Sequence, residues 1–344
     1  MDLKEKIGLR YLYIILILAL ITLNPYCNSK NVGQDSKKIE KKVIKLSHCH
    51  QPSFSSEIHT AAWIFQKWIE DNSNTLAVKI YPSSSLGQER EVYEAMQLGG
   101  GASCIISGTA ILSNFVPQIG ILDLPFLWKD YKHIHRTLDG QVGNELETKL
   151  LESGFRVIAW MDSWGYRNIV TADDPIRNID DLKGLKIRTI QSPTYIAALN
   201  MMGVNATPLA FGEVYTAMQT GVLDGFEHNA TVVKANKLYE VADHMALTQH
   251  LFGPLVMIFS EKEWKSYSAK EREVIRQGAK FARDVQRSLA PIREKEAIRF
   301  LEKKGMQIHS INRGPFLKEA EKLQNKFAKK YNAQTLLNKI RKPN

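Results

Sequence analysis

The feature that most constrains the fold is a near-literal internal repeat. The segment EVYEAMQLG at residues 91–99 recurs as EVYTAMQTG at residues 213–221, and seven of the nine positions are identical. Each copy has helical spacing, ends at a glycine and lies within the same order of segments: strand, helix, strand, helix, strand. Because strands joined by helices form parallel sheets with right-handed crossovers, the repeat predicts two related βαβαβ lobes that begin near residues 43 and 165.

The length and the charge limit the class of protein. The chain has 344 residues, which is enough for two domains of roughly 100–200 residues each. Its 46 Lys and Arg against 36 Asp and Glu give a net charge of +10, which first suggests a nucleic acid or an anionic membrane as partner. The bases are dispersed and mostly alternate with acids, as at residues 261–263 and 270–273. The charge therefore predicts solvated surfaces and no nucleic-acid partner.

The first 27 residues differ from the rest of the chain. Lys4, Lys6 and Arg10 precede an unbroken apolar run at residues 11–23, which is shorter than the roughly 20 residues that span a bilayer and fits a signal peptide. We therefore expect an exported, periplasmic protein. Cys27 is a candidate for lipidation, although Tyr26 is bulky where lipoprotein signals have a small residue, and a retained leader that anchors the chain is the alternative.

The remaining segments are assigned by composition and periodicity. Residues 28–42 are polar and predict a linker, and the C-terminal third predicts helices that brace both lobes. Pro291 is expected to kink or break one of these helices. We assign residues 43–164 with about 254–292 to the first lobe, and 165–253 with about 293–344 to the second. Ser260 with Glu263, and Ser268 with Glu271, have the spacing of capping boxes.

Two arginines are the strongest candidates for binding a ligand. In open α/β sheets, ligands bind beyond the carboxyl ends of the strands, and small-molecule sites favour the space between domains. Arg188 lies at such a strand end, and Arg167 lies just before the second lobe. A guanidinium can hold a carboxylate through two hydrogen bonds, so these positions predict an organic anion as ligand. A structural ion pair with Asp180 or Asp181 is the alternative.

Metal binding and cofactor chemistry have weaker support. His48 and His50 alternate on a predicted strand, and His59 follows, but a metal site needs three or four ligands and no metal motif accompanies them. The chain also lacks a phosphate-binding loop, a dinucleotide-binding glycine motif and a G-x-S-x-G elbow. We therefore expect neither metal nor cofactor. Cys49 and Cys104 are expected to be buried thiols, with a disulfide as the alternative.

Several longer stretches match one family in order and spacing. They are YPSSSLGQEREVYEAMQLG at 81–99, FVPQIGILDLPFLW at 115–128, GYRNIVTADDPIRNIDDLKGLKIRT at 165–189 and TPLAFGEVYTAMQTGVLDGFEHN at 207–229. With these stretches, the chain resembles the solute-binding proteins of tripartite ATP-independent periplasmic (TRAP) transporters, of the DctP type. The resemblance extends from about residue 43 to past residue 310.

The resemblance implies a fold, a function and partners. The fold would be a two-lobed α/β clamshell, each lobe a mainly parallel sheet flanked by helices. The protein would be a monomer that captures an organic acid, such as a sugar acid or dicarboxylate, and delivers it to a membrane permease of two dissimilar subunits driven by an ion gradient. Contact with the membrane would be limited to the leader or a lipid anchor.

The resemblance also implies individual binding residues. The family's carboxylate-binding arginine corresponds to Arg188, a second cleft arginine to Arg167, and a ligand-lining aromatic residue to Phe211. Where many members have D-G-x-E-N, this chain has His228 at the asparagine position, followed by Asn229. The residues implied at the variable end of the ligand are His50, Glu89, Arg90 and Gln191.

Two other classes of protein remain open from the sequence. An exported enzyme acting on an acidic sugar would need an acid/base pair in the cleft, and Glu89 with Glu227 is the plausible couple. A structural or adhesive surface lipoprotein would bind no small acid. An enzyme would convert the acid into a product, whereas a binding protein returns it unchanged, and a surface lipoprotein would show no thermal shift with any small acid.

Overall fold

The structure is a computed structural model that describes residues 40–162 and 165–341. The predicted signal peptide, the lipidation candidate Cys27 and most of the predicted linker lie outside the described residues, so these remain predictions. Lys42, which the composition placed in the linker, already belongs to the first strand.

The described residues contain eleven strands and twelve α-helices. The strands are β1 (Lys42–Ser47), β2 (Leu76–Tyr81), β3 (Cys104–Gly108), β4 (Phe155–Met161), β5 (Tyr166–Thr171), β6 (Lys186–Thr189), β7 (Asn205–Pro208), β8 (Gly225–His228), β9 (His244–Phe252), β10 (Leu255–Ser260) and β11 (Gln307–His309). The helices are α1 (Glu57–Asn72), α2 (Glu89–Leu98), α3 (Thr109–Leu112), α4 (Tyr131–Leu138), α5 (Gln141–Glu152), α6 (Pro193–Met201), α7 (Val214–Gln219), α8 (Ala230–Ala235), α9 (Glu261–Trp264), α10 (Ala269–Lys303), α11 (Gly314–Lys330) and α12 (Gln334–Arg341).

The first sheet has the strand order β2-β1-β3-β10-β4. β1 pairs in parallel with β2 and β3, whereas β10 is antiparallel to both β3 and β4. β3 and β10 are buried along their whole length, which is why their sequences, CIISG and LVMIFS, are nearly continuous apolar runs. The sheet is therefore mixed. In the described chain, four of its strands run in one direction and β10 runs in the opposite direction.

The second sheet repeats this plan with the order β11-β9-β5-β8-β6-β7. β6 pairs in parallel with β7 and β8, and β5 is the reversed strand, antiparallel to both β8 and β9. Each repeat copy ends as predicted at a glycine. Gly99 and Gly221 have φ angles of 81° and 68°, in the left-handed region that favours glycine after a helix. The predicted two-sheet α/β fold is confirmed, and both sheets are mixed.

The chain passes between the two sheets three times. β4 belongs to the first sheet and β5 to the second, β9 belongs to the second and β10 to the first, and β11, which follows α10, belongs to the second again. The first two passages fall near residues 162–165 and 253–254, and the third is made through α10. They coincide with the lobe boundaries that the sequence suggested, which remain a proposal.

Helix α10 is a single helix of 35 residues and contacts elements of both sheets. It packs on α1 and β4 of the first half, and on α8 and β11 of the second. Ser268 and Glu271 form the predicted capping box at its start. The helix is continuous through Pro291, so the predicted break does not occur, and a kink at this residue stays a prediction.

The structure also tests the predictions made for Ser260 and for the two cysteines. Ser260 does not form a capping box, and its hydroxyl donates to the carbonyl of Met96 at 2.9 Å. Cys49 and Cys104 are buried free thiols, as expected. Within the described ranges, none of the helices combines the length and the apolar character needed to cross a membrane.

Candidate functional site

A small cleft lies at the carboxyl ends of strands from both sheets. Its lining residues are Gln88, Glu89, Arg90, Ile111, Arg188, Ile190, Gln191, Leu209, Ala210, Phe211 and His228. Its volume is about 20 Å³, which is room for about one water molecule. Six of the nine predicted binding residues lie in this lining: Glu89, Arg90, Arg188, Gln191, Phe211 and His228.

The internal repeat supplies facing walls of the cleft. When the two copies are aligned, Gln88 and Glu89 correspond to Ala210 and Phe211, and all four line the cleft. Gln88 is the N-cap of α2 and forms a capping box with Glu91. Phe211 begins a short 3-10 turn, Phe211–Glu213, that leads into α7. Each copy of the repeat is therefore preceded by two residues that line the cleft.

Arg188 is a buried cation without a carboxylate partner in the described part of the chain. Its Nε and Nη2 donate to the carbonyl oxygen of Leu209 at 3.0 and 2.6 Å, and its guanidinium lies over the ring of Phe211, 5.9 Å from the centroid. Burial lowers the pKa of Arg188 to about 10, against the opposing effect of the Glu227 charge. The side chain is therefore positively charged at neutral pH.

Phe211 lies between two histidine rings. The centroid of Phe211 is 5.3 Å from that of His50 and 5.6 Å from that of His228. Burial and the Arg167 charge lower the pKa of His50 to about 3 and that of His228 well below its usual value. Both imidazoles are neutral at pH 7, so they add hydrogen-bonding and apolar surface but no charge. His50 contacts the cleft through Phe211 and is not itself in the lining.

Glu89 brings a carboxyl group to the first-sheet wall. Ser107 Oγ, at the end of β3, donates a hydrogen bond to Glu89 Oε1. Burial raises the pKa of Glu89, although this hydrogen bond and the charge of Arg188 oppose the shift. A carboxyl group with a raised pKa close to a guanidinium can accept hydrogen bonds from ligand hydroxyls, or donate one when it is protonated.

Arg90 and Gln191 form the rim. Arg90 Nε donates to Glu94 Oε1 at 3.0 Å and the side chain is exposed. The backbone carbonyl of Gln191 accepts from Asn114 Nδ2 at 2.9 Å, which leaves the Gln191 side chain at the cleft.

Arg167 does not line the cleft. It is fully buried, and its Nε and Nη2 donate to the carboxylate of Glu227, with Nη2–Oε1 at 2.9 Å. Burial alone would lower the pKa of Arg167, but the Glu227 charge raises it. The ion pair foreseen as the alternative for an arginine is thus present at Arg167, with Glu227 as the partner in place of Asp180 or Asp181.

Asn229 has a structural contact. Its side-chain oxygen accepts a hydrogen bond from the backbone N–H of Val232 at 3.0 Å, so Asn229 is the N-cap of α8. Its side chain is not in the cleft lining. Of the two predicted binding residues at the end of β8, only His228 lines the cleft.

The predicted histidine and carboxylate groupings are not assembled in the cleft. His48 Nε2 lies 3.1 Å from His59 Nδ1, whereas His50 Nδ1 lies 3.0 Å from Ser56 Oγ. In residues 40–162 and 165–341, no cluster of three or more potential ligand side chains could hold a metal ion. Glu89 lines the cleft and Glu227 does not, so the geometry does not support an acid/base pair.

Reasoning from single residues missed part of the lining. Gln88, Ile111, Ile190, Leu209 and Ala210 line the cleft, and most lie beside a predicted residue in the same segment. The apolar members carry no chemical signal in the sequence. Their place in the lining follows only from their position in the chain, shortly after the end of a strand.

Sequence reasoning also missed a buried polar network beneath the cleft. Asp123 Oδ1 accepts hydrogen bonds from Thr109 Oγ1 at 2.9 Å and from Tyr195 OH at 3.3 Å. The guanidinium of Arg167 lies over the ring of Tyr195, 5.3 Å from the centroid. Burial raises the pKa of Asp123 to about 8, although its two hydrogen bonds oppose the shift. The carboxyl group is therefore largely protonated at neutral pH.

Asp123 gives a prediction about stability and pH. Because its pKa is near 3.8 in the unfolded chain and about 8 in the folded chain, the folded chain holds a proton that the unfolded chain releases between these values. The free energy of unfolding should therefore fall as the pH rises from about 4 to 8, by at most roughly 1.4 kcal/mol per pH unit. In Asp123→Asn, which stays neutral, urea unfolding should show a flatter pH profile. An unchanged profile would contradict the assignment.

The chain is similar to known extracellular solute-binding proteins. The family model of the bacterial extracellular solute-binding protein family 7, DctP, matches residues 48–332. The 2,3-diketo-L-gulonate-binding periplasmic protein YiaO of Escherichia coli K12 is 32% identical over 260 residues, which is 75% of this chain and 79% of YiaO.

Two solved structures show the same fold. A TRAP periplasmic solute-binding protein from Polaromonas, bound to D-erythronate, has a TM-score of 0.83 at 30% identity, covering 88% of this chain and 98% of that one. A TRAP periplasmic solute-binding protein from Citrobacter koseri, with bound D-glucuronate, has a TM-score of 0.81 at 29% identity, covering 88% and 100%.

Proposed function

Because the chain belongs to the bacterial extracellular solute-binding protein family 7, we propose that it captures a sugar acid between its two sheets. Arg188 carries this proposal. Buried charges are normally paired, yet no carboxylate of the described residues lies within 4 Å of its guanidinium. A ligand carboxylate is the complement that this position lacks, and a guanidinium can bind it through two parallel hydrogen bonds.

The other cleft residues favour a ligand with several hydroxyl groups. Gln88, Glu89 and Gln191 offer amide and carboxyl groups, which can each donate to or accept from a hydroxyl. Phe211 offers an aromatic face for the C–H surface of a sugar chain. The similar proteins crystallised with D-erythronate and D-glucuronate hold ligands of this type.

Binding requires the sheets to separate and close. A space of about 20 Å³ is far smaller than the roughly 300–1,000 Å³ of most ligand sites, so the ligand enters a more open form. In the structure, Ser113 Oγ lies 3.1 Å from Ser192 Oγ, and Asn114 Nδ2 donates to the carbonyl of Gln191. These contacts link the two halves and favour the closed form, and a ligand that touches both walls would shift the population towards it.

The proposal includes the partner and the location. The chain would work outside the cytoplasm as a monomer and deliver its ligand to a TRAP permease in the membrane. The apolar run at residues 11–23 would direct export, with Cys27 as the site of lipid attachment or the leader as an anchor.

Thermal unfolding with a panel of acids tests the proposal. The panel includes D-erythronate, D-galactonate, D-glucuronate, C4-dicarboxylates, keto acids and sialic acid. An acid at 100 times its Kd should stabilise the fold by about 2.7 kcal/mol, which raises the Tm by roughly 4 °C.

The neutral sugar D-glucose is the matched control for D-glucuronate, because the two share a ring and differ in the carboxylate. The proposal fails if no acid in the panel raises the Tm, or if neutral sugars act as well as their acids. Chromatography of the ligand after incubation separates a binding protein from an enzyme, since a binding protein returns the acid unchanged.

A further inference from the structure

A second and larger cavity lies away from the cleft. We name it the hinge cavity; its volume is about 390 Å³. It is lined by Phe126, Leu127, Trp128, Lys129, Asp130, Tyr131, Tyr166, Gln249, Leu251, Phe252, Arg313 and Leu317. This volume falls within the range of about 300–1,000 Å³ that is usual for small-molecule sites.

The hinge cavity adjoins the places where the chain changes sheets. Tyr166 opens β5 and Phe252 closes β9, and each lies next to one of the first two passages between the sheets. Their rings pack edge to face with Tyr131, at centroid distances of 6.1 and 5.6 Å, and with each other at 5.3 Å. Tyr131 OH donates to Glu294 Oε2 on α10 at 2.9 Å. The wall of the cavity therefore contacts residues beside the first two passages and the long helix α10, which makes the third.

Two residues of the lining have an unfavourable backbone conformation. Phe126 and Gln249 have φ angles of 54° and 45°, in the left-handed region that non-glycine residues rarely adopt. The N–H of Phe126 donates to the carbonyl of His250 at 3.0 Å, and the pairing of β5 with β9 shifts register beside Gln249. Bulges and strained residues of this kind are concentrated at functional sites.

The chemistry of the lining combines aromatic surface with positive charge. Five aromatic rings line the cavity, and Lys129 and Arg313 are exposed at its edge. Arg313 Nη1 donates to the side-chain oxygen of Gln249 at 2.7 Å. The one acid of the lining, Asp130, already caps α4 by accepting from the N–H of His133 at 2.7 Å.

We infer that the hinge cavity is a second ligand site, for a small amphipathic organic anion. The aromatic rings hold a flat apolar body, and Arg313 with Lys129 binds the acid group. A ligand there contacts residues beside the first two passages between the sheets, so its affinity is linked to opening and closing of the cleft. The site is spatially separate from the sugar-acid site, because the two share no lining residue.

The probe for this site is 8-anilinonaphthalene-1-sulfonate, which has flat rings and one sulfonate. N-phenyl-1-naphthylamine, with the same rings and no charge, is its matched partner. Fluorescence titration of the full chain should show one saturable site for the sulfonate. Arg313→Glu should weaken sulfonate binding about tenfold and leave the neutral probe unchanged, because only the acid group contacts the guanidinium.

Three further variants keep the result unambiguous. Arg276→Glu on the exposed face of α10 is the charge control and should have no effect. Leu317→Trp, which places a larger side chain in the cavity, should reduce binding of both probes. Arg188→Ala should bind the sulfonate normally. The inference is overturned if binding does not saturate, if Arg313→Glu behaves like Arg276→Glu, or if Arg188→Ala abolishes sulfonate binding.

Discussion

Replacing Arg188 by alanine should weaken binding of the sugar acid by about 30-fold or more. The guanidinium is buried, charged at neutral pH and held by the carbonyl of Leu209, so it is already oriented for a carboxylate. Loss of one partner of a buried charge-assisted pair typically costs about 2–5 kcal/mol, which corresponds to roughly 30-fold to several thousand-fold in Kd. Isothermal titration with the acid identified by thermal unfolding measures the change.

Two variants give this experiment its controls. Arg188→Lys retains the charge but loses the planar fork, so its affinity should lie between those of the wild type and Arg188→Ala. Arg90→Ala removes an exposed rim guanidinium that already contacts Glu94, and should change the Kd only a few fold. Circular dichroism must show that Arg188→Ala is folded. Wild-type affinity in a folded Arg188→Ala would exclude this arginine as the carboxylate anchor.

The repeat made much of the cleft predictable. Its two copies place Glu89 and Phe211 at equivalent positions before equivalent helices, and the fold brings both to one cavity. Arg188 was predictable for a related reason, because a strand end in an α/β sheet is where a charged side chain can face a ligand. Both predictions combine a local sequence pattern with one general rule, that ligands bind at the carboxyl ends of strands in an α/β sheet.

The positions that were not predictable depend on pairing between distant segments. Arg167 and Glu227 are 60 residues apart, and they meet because β5 and β8 pair with Ile169 opposite Glu227. Nothing in either local sequence specifies that register. The reversed directions of β5 and β10 were not predictable for the same reason, because a sequence pattern predicts a strand but not the strands with which it pairs.

Asn229 shows a different difficulty. Asparagine is among the best N-caps, and the segment that follows it has helical character, so the structural contact was available from the sequence. The resemblance favoured a ligand contact for the same position.

Glu227→Ala should destabilise the fold by about 3–5 kcal/mol, because it removes the carboxylate that neutralises the fully buried Arg167. The loss also removes the acceptor of Thr189 Oγ1, at 3.1 Å from Glu227 Oε1. The Tm should fall by roughly 5–8 °C, and guanidinium unfolding measures the free energy. Glu70→Ala, which breaks an exposed ion pair with Lys67, is the matched control and should cost less than about 1 kcal/mol.

The double variant Arg167→Met/Glu227→Met separates a structural pair from a ligand-binding arginine. If the pair only fills and neutralises the core, two apolar side chains of similar length should recover most of the stability that Glu227→Ala loses. Affinity for the sugar acid should then stay within about tenfold of the wild type, since Arg188 keeps its place in the cleft. If stability recovers while affinity falls as far as in Arg188→Ala, Arg167 contacts the ligand in the form that binds it, and the carboxylate site includes both arginines.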